Sequence, residues 1–486
     1  MSLLRQSRPS STPGRLRARH LAVLLIAAHA PLTLLWAVVP TTFASSGVVA
    51  TPLVFAIAGI ILVGFVVGYS GLGRRIRHPG GLYVVVVQGL GRPAGLGAAI
   101  LQFLGYIGLL AGFYGQSALT LKVLMVDVVG VDPPTGFLVS FWVGAVLALS
   151  QLSLRTTARL GASVLALQAL VLLWFLVAAV SRPLDGTLSV SALDTGGLLS
   201  GSFGVALVLA VVAFVGSEGA TAYTTELADP YRAVPRATYF SYLVITLVLV
   251  VGAWATAVVV GAETAAATPT GASLPEVLAR LVGPESANAA IDLGRLNLCI
   301  GLLMTAVVLN NAAARQIAGL GRDGLLPVGL APETAAQRPP APATLIQPAL
   351  SGVIAVAATF TAGTVLPLWL GIASGLAIVG VLTLASASSA LWFLRGEADE
   401  SGFFGWEGQV IAGLFSIVTT GGVFLFGVFG VRQVAPGAPE GASWLVALLV
   451  GVVFLTGVVV ALGLRVSRPT IYASIGRTDV AATARA

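Results

Sequence analysis

Residues Phe214 to Ala237 read FVGSEGATAYTTELADPYRAVPRA. They follow an apolar run, Gly204 to Ala213, suited to crossing a bilayer. A helix surrounded by hydrocarbon gains nothing from the helix-weakening Gly216 and Gly219 or from the carboxylate of Glu218. Small residues also let helices pack closely, and Gly216, Gly219 and Ala220 fit that reading by themselves. Glu218 does not. At a helix centre a carboxylate costs about 2.5–3.5 kcal/mol on insertion scales, and it usually marks a pathway or a proton relay.

The rest of the chain agrees with a membrane setting. It is 57% hydrophobic and only 9% charged, with a mean hydropathy of +0.97, whereas soluble domains carry about 25% charged residues. Apolar stretches begin near Leu21, Leu53, Leu96, Phe137, Val164, Gly204, Tyr239, Leu298, Ala343, Leu366, Val410 and Trp444. These twelve predicted spans are each near the length that crosses about 30 Å of hydrocarbon. The first is not a cleavable leader, because it is long and Pro40-Thr-Thr-Phe is a poor cleavage site.

Several function classes drop out. The single cysteine, Cys299, makes no internal disulfide or cysteine cluster. His20, His29 and His78 do not form an HExxH motif, so no metal site is expected. There is no GxSxG elbow and no GK[ST]-ended phosphate loop, so no cofactor is expected either. The pI near 10 comes from arginines spread over successive loops, which argues for a membrane protein rather than a nucleic-acid partner.

Loop charge sets the expected orientation. With the N-terminus in the cytoplasm, the inner segments hold 21 of the 26 basic residues. Only Lys122, Arg182, Arg280, Arg295 and Arg432 fall outside. The expectation is a multi-pass protein of the cell membrane with both termini cytoplasmic. Polar tails are expected at 1–19 and 465–486, and a short helix over Ser273 to Gly283, with Ser273 as its cap and Pro275 in its first turn.

A faint repeat is visible. HPGGLYVVVVQGLGRP (His78 to Pro93) follows the second span on the inside. GASLPEVLARLVGP (Gly271 to Pro284) follows the seventh on the outside. Short apolar segments at matching places on opposite faces are what two inverted five-helix halves would give. The expected division is 20–180 for the first repeat, 200–394 for the second and 405–464 for two further helices.

In such a design the first and sixth spans are both discontinuous and hold substrate near the midplane. The first span reads LAVLLIAAHAPLTLLWAVVP, interrupted by His29, Pro31 and Thr33. Pro31 lacks an amide donor and clashes with the carbonyl four residues back. The expected substrate site lies between these two breaks, and Tyr106 in the third span is a candidate to line it. Glu218 and His29 are the candidate proton-coupling pair; a neutral histidine tied to a neighbouring helix is the alternative for His29. Asn310 and Asn311 read as interhelical donors. Tyr114 reads as packing or as cavity lining.

The opening stretch, with Phe214, Gly216, Glu218, Asp229-Pro230, Arg232 and Val234-Pro235-Arg236-Ala237, resembles the sixth-helix signature of the amino acid–polyamine–organocation (APC) superfamily. Pro79-Gly80-Gly81-Leu82-Tyr83 is similar to its re-entrant segment after helix two. Arg315, Asp323, Gly324 and Pro327 are similar to its segment after helix eight. The resemblance implies an all-α membrane fold of about twelve helices: a five-plus-five inverted repeat with broken helices 1 and 6, plus two C-terminal helices. It implies secondary uptake or exchange of a small-molecule substrate, an amino acid or related amine, with a proton or a counter-substrate as partner. By position it also implies that Ala30, Pro31, Leu32 and Thr33 in the first span, and Phe214, Val215, Gly216, Ser217 and Glu218 in the sixth, lie next to the substrate. The first-helix break departs from the Gly-Ser-Gly common in that superfamily; here it is His29-Ala30-Pro31-Leu32-Thr33. Sodium sites of this fold pair helix-one carbonyls with adjacent hydroxyls on helix eight, and helix eight here offers Thr305 without a hydroxyl beside it. Proton coupling or exchange is therefore expected over sodium. A channel or a polytopic membrane enzyme is the alternative function.

Overall fold

The computed structural model describes residues 16–184, 186–267, 274–330, 341–361, 365–395, 405–434 and 440–477. Most of the predicted N-terminal tail, the last nine residues of the predicted C-terminal tail, the expected Ser273 cap, Arg5, Arg8, Arg15, Arg338 and Arg485 lie outside these residues. The described chain is almost wholly helical. Eleven of its helices are long and apolar enough to cross a membrane.

A twelfth helix, Thr135–Ser150, stands at the fourth predicted span but has only 16 residues. At 1.5 Å per residue it is about 24 Å long, short of the hydrocarbon thickness. Its limits are local. Pro133-Pro134 stops the chain before it. After it, Ser153 accepts the Thr156 amide and caps the next helix, Leu154–Ser181.

The third span, Arg92–Val129, and the eighth, Pro284–Arg322, are the longest, at 38 and 39 residues. Each is entered the same way. A nine-residue helix, Leu82–Leu90 or Leu274–Val282, comes before it. A glycine then turns the chain, Gly91 at φ 88° or Gly283 at φ 82°. A proline follows in the first turn of the long helix, where a missing amide costs nothing. The faint sequence repeat thus corresponds to matched local geometry.

Both predicted breaks are present. The first span consists of Ala18–Ala27 and Pro31–Ser46. Between them Ala30 adopts φ 42°, the one left-handed non-glycine among the described residues. Pro31 then opens the second half at its first position. The sixth span runs Phe203–Val212, turns through Gly216 at φ 134°, and continues as a tight 3-10 helix, Ser217–Tyr223. The second half of that span is therefore not an ordinary α-helical half. Seven residues of 3-10 geometry are an uncommonly long run, and such stretches often mark a functional hinge. The Asp229-Pro230 signature has a plain local job: Asp229 accepts the Arg232 amide (3.2 Å) and Pro230 starts the seventh span, Pro230–Val260.

Candidate functional site

The two breaks touch. A methyl group on Gly216 would lie 3.3 Å from Ala28 Cβ and 3.6 Å from the His29 ring. The φ of Gly216 is closed to other residues, so glycine here serves both shape and contact.

Glu218 is fully buried. Its Oε2 accepts the Gly216 amide at 2.5 Å, so the carboxylate folds back on the turn that precedes it. Its Oε1 accepts the Tyr106 hydroxyl from the third span at 2.9 Å. Gln102, one turn before Tyr106, donates to that hydroxyl at 3.1 Å, which directs the Tyr106 proton to Glu218. The Tyr69 hydroxyl of the second span, Thr51–Gly73, accepts the Thr221 amide (3.0 Å) and donates to the Glu218 carbonyl (2.7 Å). Among the described residues, no ion pair involves Glu218.

His29 bridges the breaks. Its Nδ1 lies 2.8 Å from the Leu25 carbonyl, and its Nε2 lies 3.0 Å from the Phe214 carbonyl. A neutral imidazole carries one N–H and can donate to only one of these. The Ser217 hydroxyl is 3.5 Å from Nε2 and 3.2 Å from Ser241 on the seventh span. The Phe214 ring stacks on Tyr242 at 5.8 Å.

Ala30 and Thr33 face the eighth span at Gly301. A methyl group there would meet Thr33 Oγ1 at 2.0 Å, Gln168 Nε2 at 2.9 Å and Ala30 Cβ at 3.1 Å. Thr33 Oγ1 and both amide atoms of Gln168 are buried without a hydrogen-bond partner. Val215, Pro31 and Leu32 are buried around the breaks.

The predicted residues thus fall into one connected group of His29, Tyr106, Phe214, Gly216, Ser217 and Glu218, with Ala30 and Thr33 on its eighth-span side. Asn310 donates to Ser150 Oγ (2.9 Å) and the Thr344 carbonyl (3.2 Å), the interhelical role expected of it. Asn311 does not behave as expected, since neither side-chain polar atom has a partner; nor does the Tyr114 hydroxyl. Tyr69, Gln102, Gln168 and Ser241 were not anticipated. The two glutamines carried a usable signal, being polar side chains within apolar spans.

The face where the described chain begins and ends is tied shut beneath the breaks. Arg315 of the eighth span donates to both carboxylate oxygens of Glu226 at 3.1 Å. Leu16 donates to the Glu226 carbonyl (2.9 Å) and accepts the Ala228 amide (3.0 Å). A cavity of about 490 Å³, lined by Trp36, Trp174, Leu293 and Asn297 among others, lies elsewhere and includes none of the break residues.

Two broken helices meeting at a buried polar cluster, in a bundle with matched long helices, define a membrane transporter of the broken-helix kind. The comparisons agree. The chain is similar to Mhp1, a nucleobase-cation-symport-1 family transporter solved in a closed conformation with bromovinylhydantoin bound. The identity is 15%, 97% of each chain is covered, and the TM-score is 0.52, which speaks to the fold. The amino acid permease family model matches residues 21–476, and the chain belongs to that family. No curated protein is significantly similar to it in sequence. The protein is a multi-pass secondary transporter of a small molecule.

Proposed function

We propose that the chain carries an amino acid or a related amine by alternating access across the cell membrane, with both termini cytoplasmic, coupled to protons or to exchange. The supporting observation is the Glu218 carboxylate, held at the breaks by Tyr106 and the Gly216 amide without a cationic partner. A substrate ammonium would supply the missing counter-charge, and so would a proton. An amine suits this place better than a zwitterion does. The Gly216 amide is already taken by Glu218, and Pro31 has no amide to offer a carboxylate.

Substrate and proton then compete for one group, which makes Glu218 the coupling residue and His29 its neighbour at the second pole. Thr305, the lone hydroxyl of the eighth-span centre, points to the Ala27 carbonyl (3.4 Å), and the fifth span faces that place with Gly161. This favours protons or exchange over sodium. The halves 20–180 and 200–394 serve as the two inverted repeats.

The test is counterflow in proteoliposomes with a panel of labelled amino acids and amines. Saturable exchange of an amine, accelerated by the same amine on the far side, is the expected result. Non-saturating flux would indicate a channel. Exchange confined to zwitterions would overturn the amine preference.

A further inference from the structure

Asp323 ends the eighth span and is buried. Its carboxylate collects donors from three separate parts of the chain. His78, in the loop after the second span, approaches Oδ1 with Nε2 at 3.1 Å. Since His78 Nδ1 accepts the Gly80 amide (3.0 Å), Nε2 carries the hydrogen and donates. Tyr83, on the short helix Leu82–Leu90, donates to Oδ2 at 2.8 Å. The third donor is the backbone amide of Gly476, also to Oδ2 at 2.8 Å.

Gly476 belongs to a segment that follows the last span. After Ala442–Ser467 the chain breaks at Arg468 and forms a short helix, Pro469–Ser474. This segment is seated by more than one contact. Ser474 Oγ donates to the Asp323 carbonyl (2.7 Å). Gln88 donates to the Gly476 carbonyl (3.2 Å), and Arg92 to the Ala473 carbonyl (3.2 Å). Ile475 is completely buried. Gly476 has φ 61° and lies so close to Val87 that a methyl group would come within 2.9 Å of it.

The segments that Asp323 joins are those closing the terminal face. The His78 carbonyl accepts from Thr224 (3.3 Å), on the stretch that leads to Glu226. Arg315, two turns before Asp323 on the same helix, holds Glu226 itself. A buried carboxylate needs its donors, because an unpaired one carries a large desolvation penalty.

We propose that Pro469–Gly476 is an autoinhibitory latch: by donating to Asp323 it steadies the closed arrangement of the terminal face, and its release eases opening. Transport by this chain is not a premise of the accessibility half of the test, so the latch and the amine reading fail separately. In a Cys299→Ser background, a reporter cysteine replaces the buried Leu227, and the purified full chain is labelled with a maleimide in detergent. Gly476→Val should raise the labelling rate about tenfold, the scale of one lost hydrogen bond to a charged group. Proteoliposome exchange should rise with it. A separate Ile475→Cys chain reports whether the segment has left its seat. If Ile475→Cys becomes reactive in the Gly476→Val protein while Leu227→Cys labelling and exchange stay unchanged, the segment is packing only and the latch is refuted. If Ile475→Cys stays unreactive or the variant melts early, deletion from Pro469 onward replaces it, judged by the same two readouts.

Discussion

The two breaks do the same geometric work with different chemistry. In the sixth span the chain turns at a glycine whose φ of 134° only glycine tolerates well, and a carboxylate two residues on closes over the exposed amide. In the first span the turn falls on Ala30, an L-residue at φ 42°, and Pro31 restarts the helix with no amide to expose. The sixth-span break thus draws its polarity from a side-chain carboxylate closing on its own backbone amide. The first is mildly strained, and its most prominent polar group is the His29 side chain. Under the proposed function, recognition and coupling would reside mainly on the sixth span, with the first acting as a shaped partner.

The sharpest way to break that comparison is Gly216→Leu. A left-handed leucine is strained, and its side chain would press on Ala28 and His29, so exchange should vanish while insertion, read by expression and monodispersity, persists. Wild-type exchange from an inserted Gly216→Leu protein would show that substrate is not held at this break.

Glu218→Gln comes next. The amide keeps the shape and can still pair with Tyr106, but it cannot titrate. Substrate binding should survive by thermal shift, while the pH dependence of exchange disappears or exchange stops. An unchanged pH profile would move the proton role to His29.

Tyr106→Phe should act more gently. It removes one hydrogen bond to a charged group, an effect of about 1.5–3 kcal/mol, and should slow exchange about tenfold or more. Tyr114→Phe, which removes a hydroxyl without a partner, should leave the rate as it is. Equal losses in both would mean that the third span contributes bulk rather than a specific donor.

The smallest effect is expected at Ala30→Gly. Relief of left-handed strain, about 1–2 kcal/mol, is offset by the extra freedom of glycine in the unfolded chain, about 0.4–1 kcal/mol. The melting temperature should rise slightly, by an amount equivalent to about 1.5 kcal/mol or less. A clear fall would show that the first break is not strained at this residue.

Much of this was legible beforehand because it rests on local rules. Apolar length located the spans, and Pro31, Gly216 and Glu218 announced the breaks, since each defies a helix in hydrocarbon for a reason written in its own side chain. The fourth span was overestimated in length because apolar composition continues past Ser150, where the helix ends and Ser153 caps the next one. Asn311 was misjudged because a polar side chain in a span shows a need for a partner without showing whether one is within reach.

The sequence by itself determined the class of protein: hydropathy, broken spans and spaced signatures are properties of short stretches, and each stretch carries its own physical constraint. The tertiary structure decided who meets whom. That Glu218 is held by Tyr106, that His29 spans two carbonyls 189 residues apart (Leu25 and Phe214), and that Asp323 gathers His78, Tyr83 and Gly476 are facts of packing between distant helices. Spacing along the chain does not encode such pairings, because a hydrogen bond depends on distances of about 3 Å that only the assembled bundle sets.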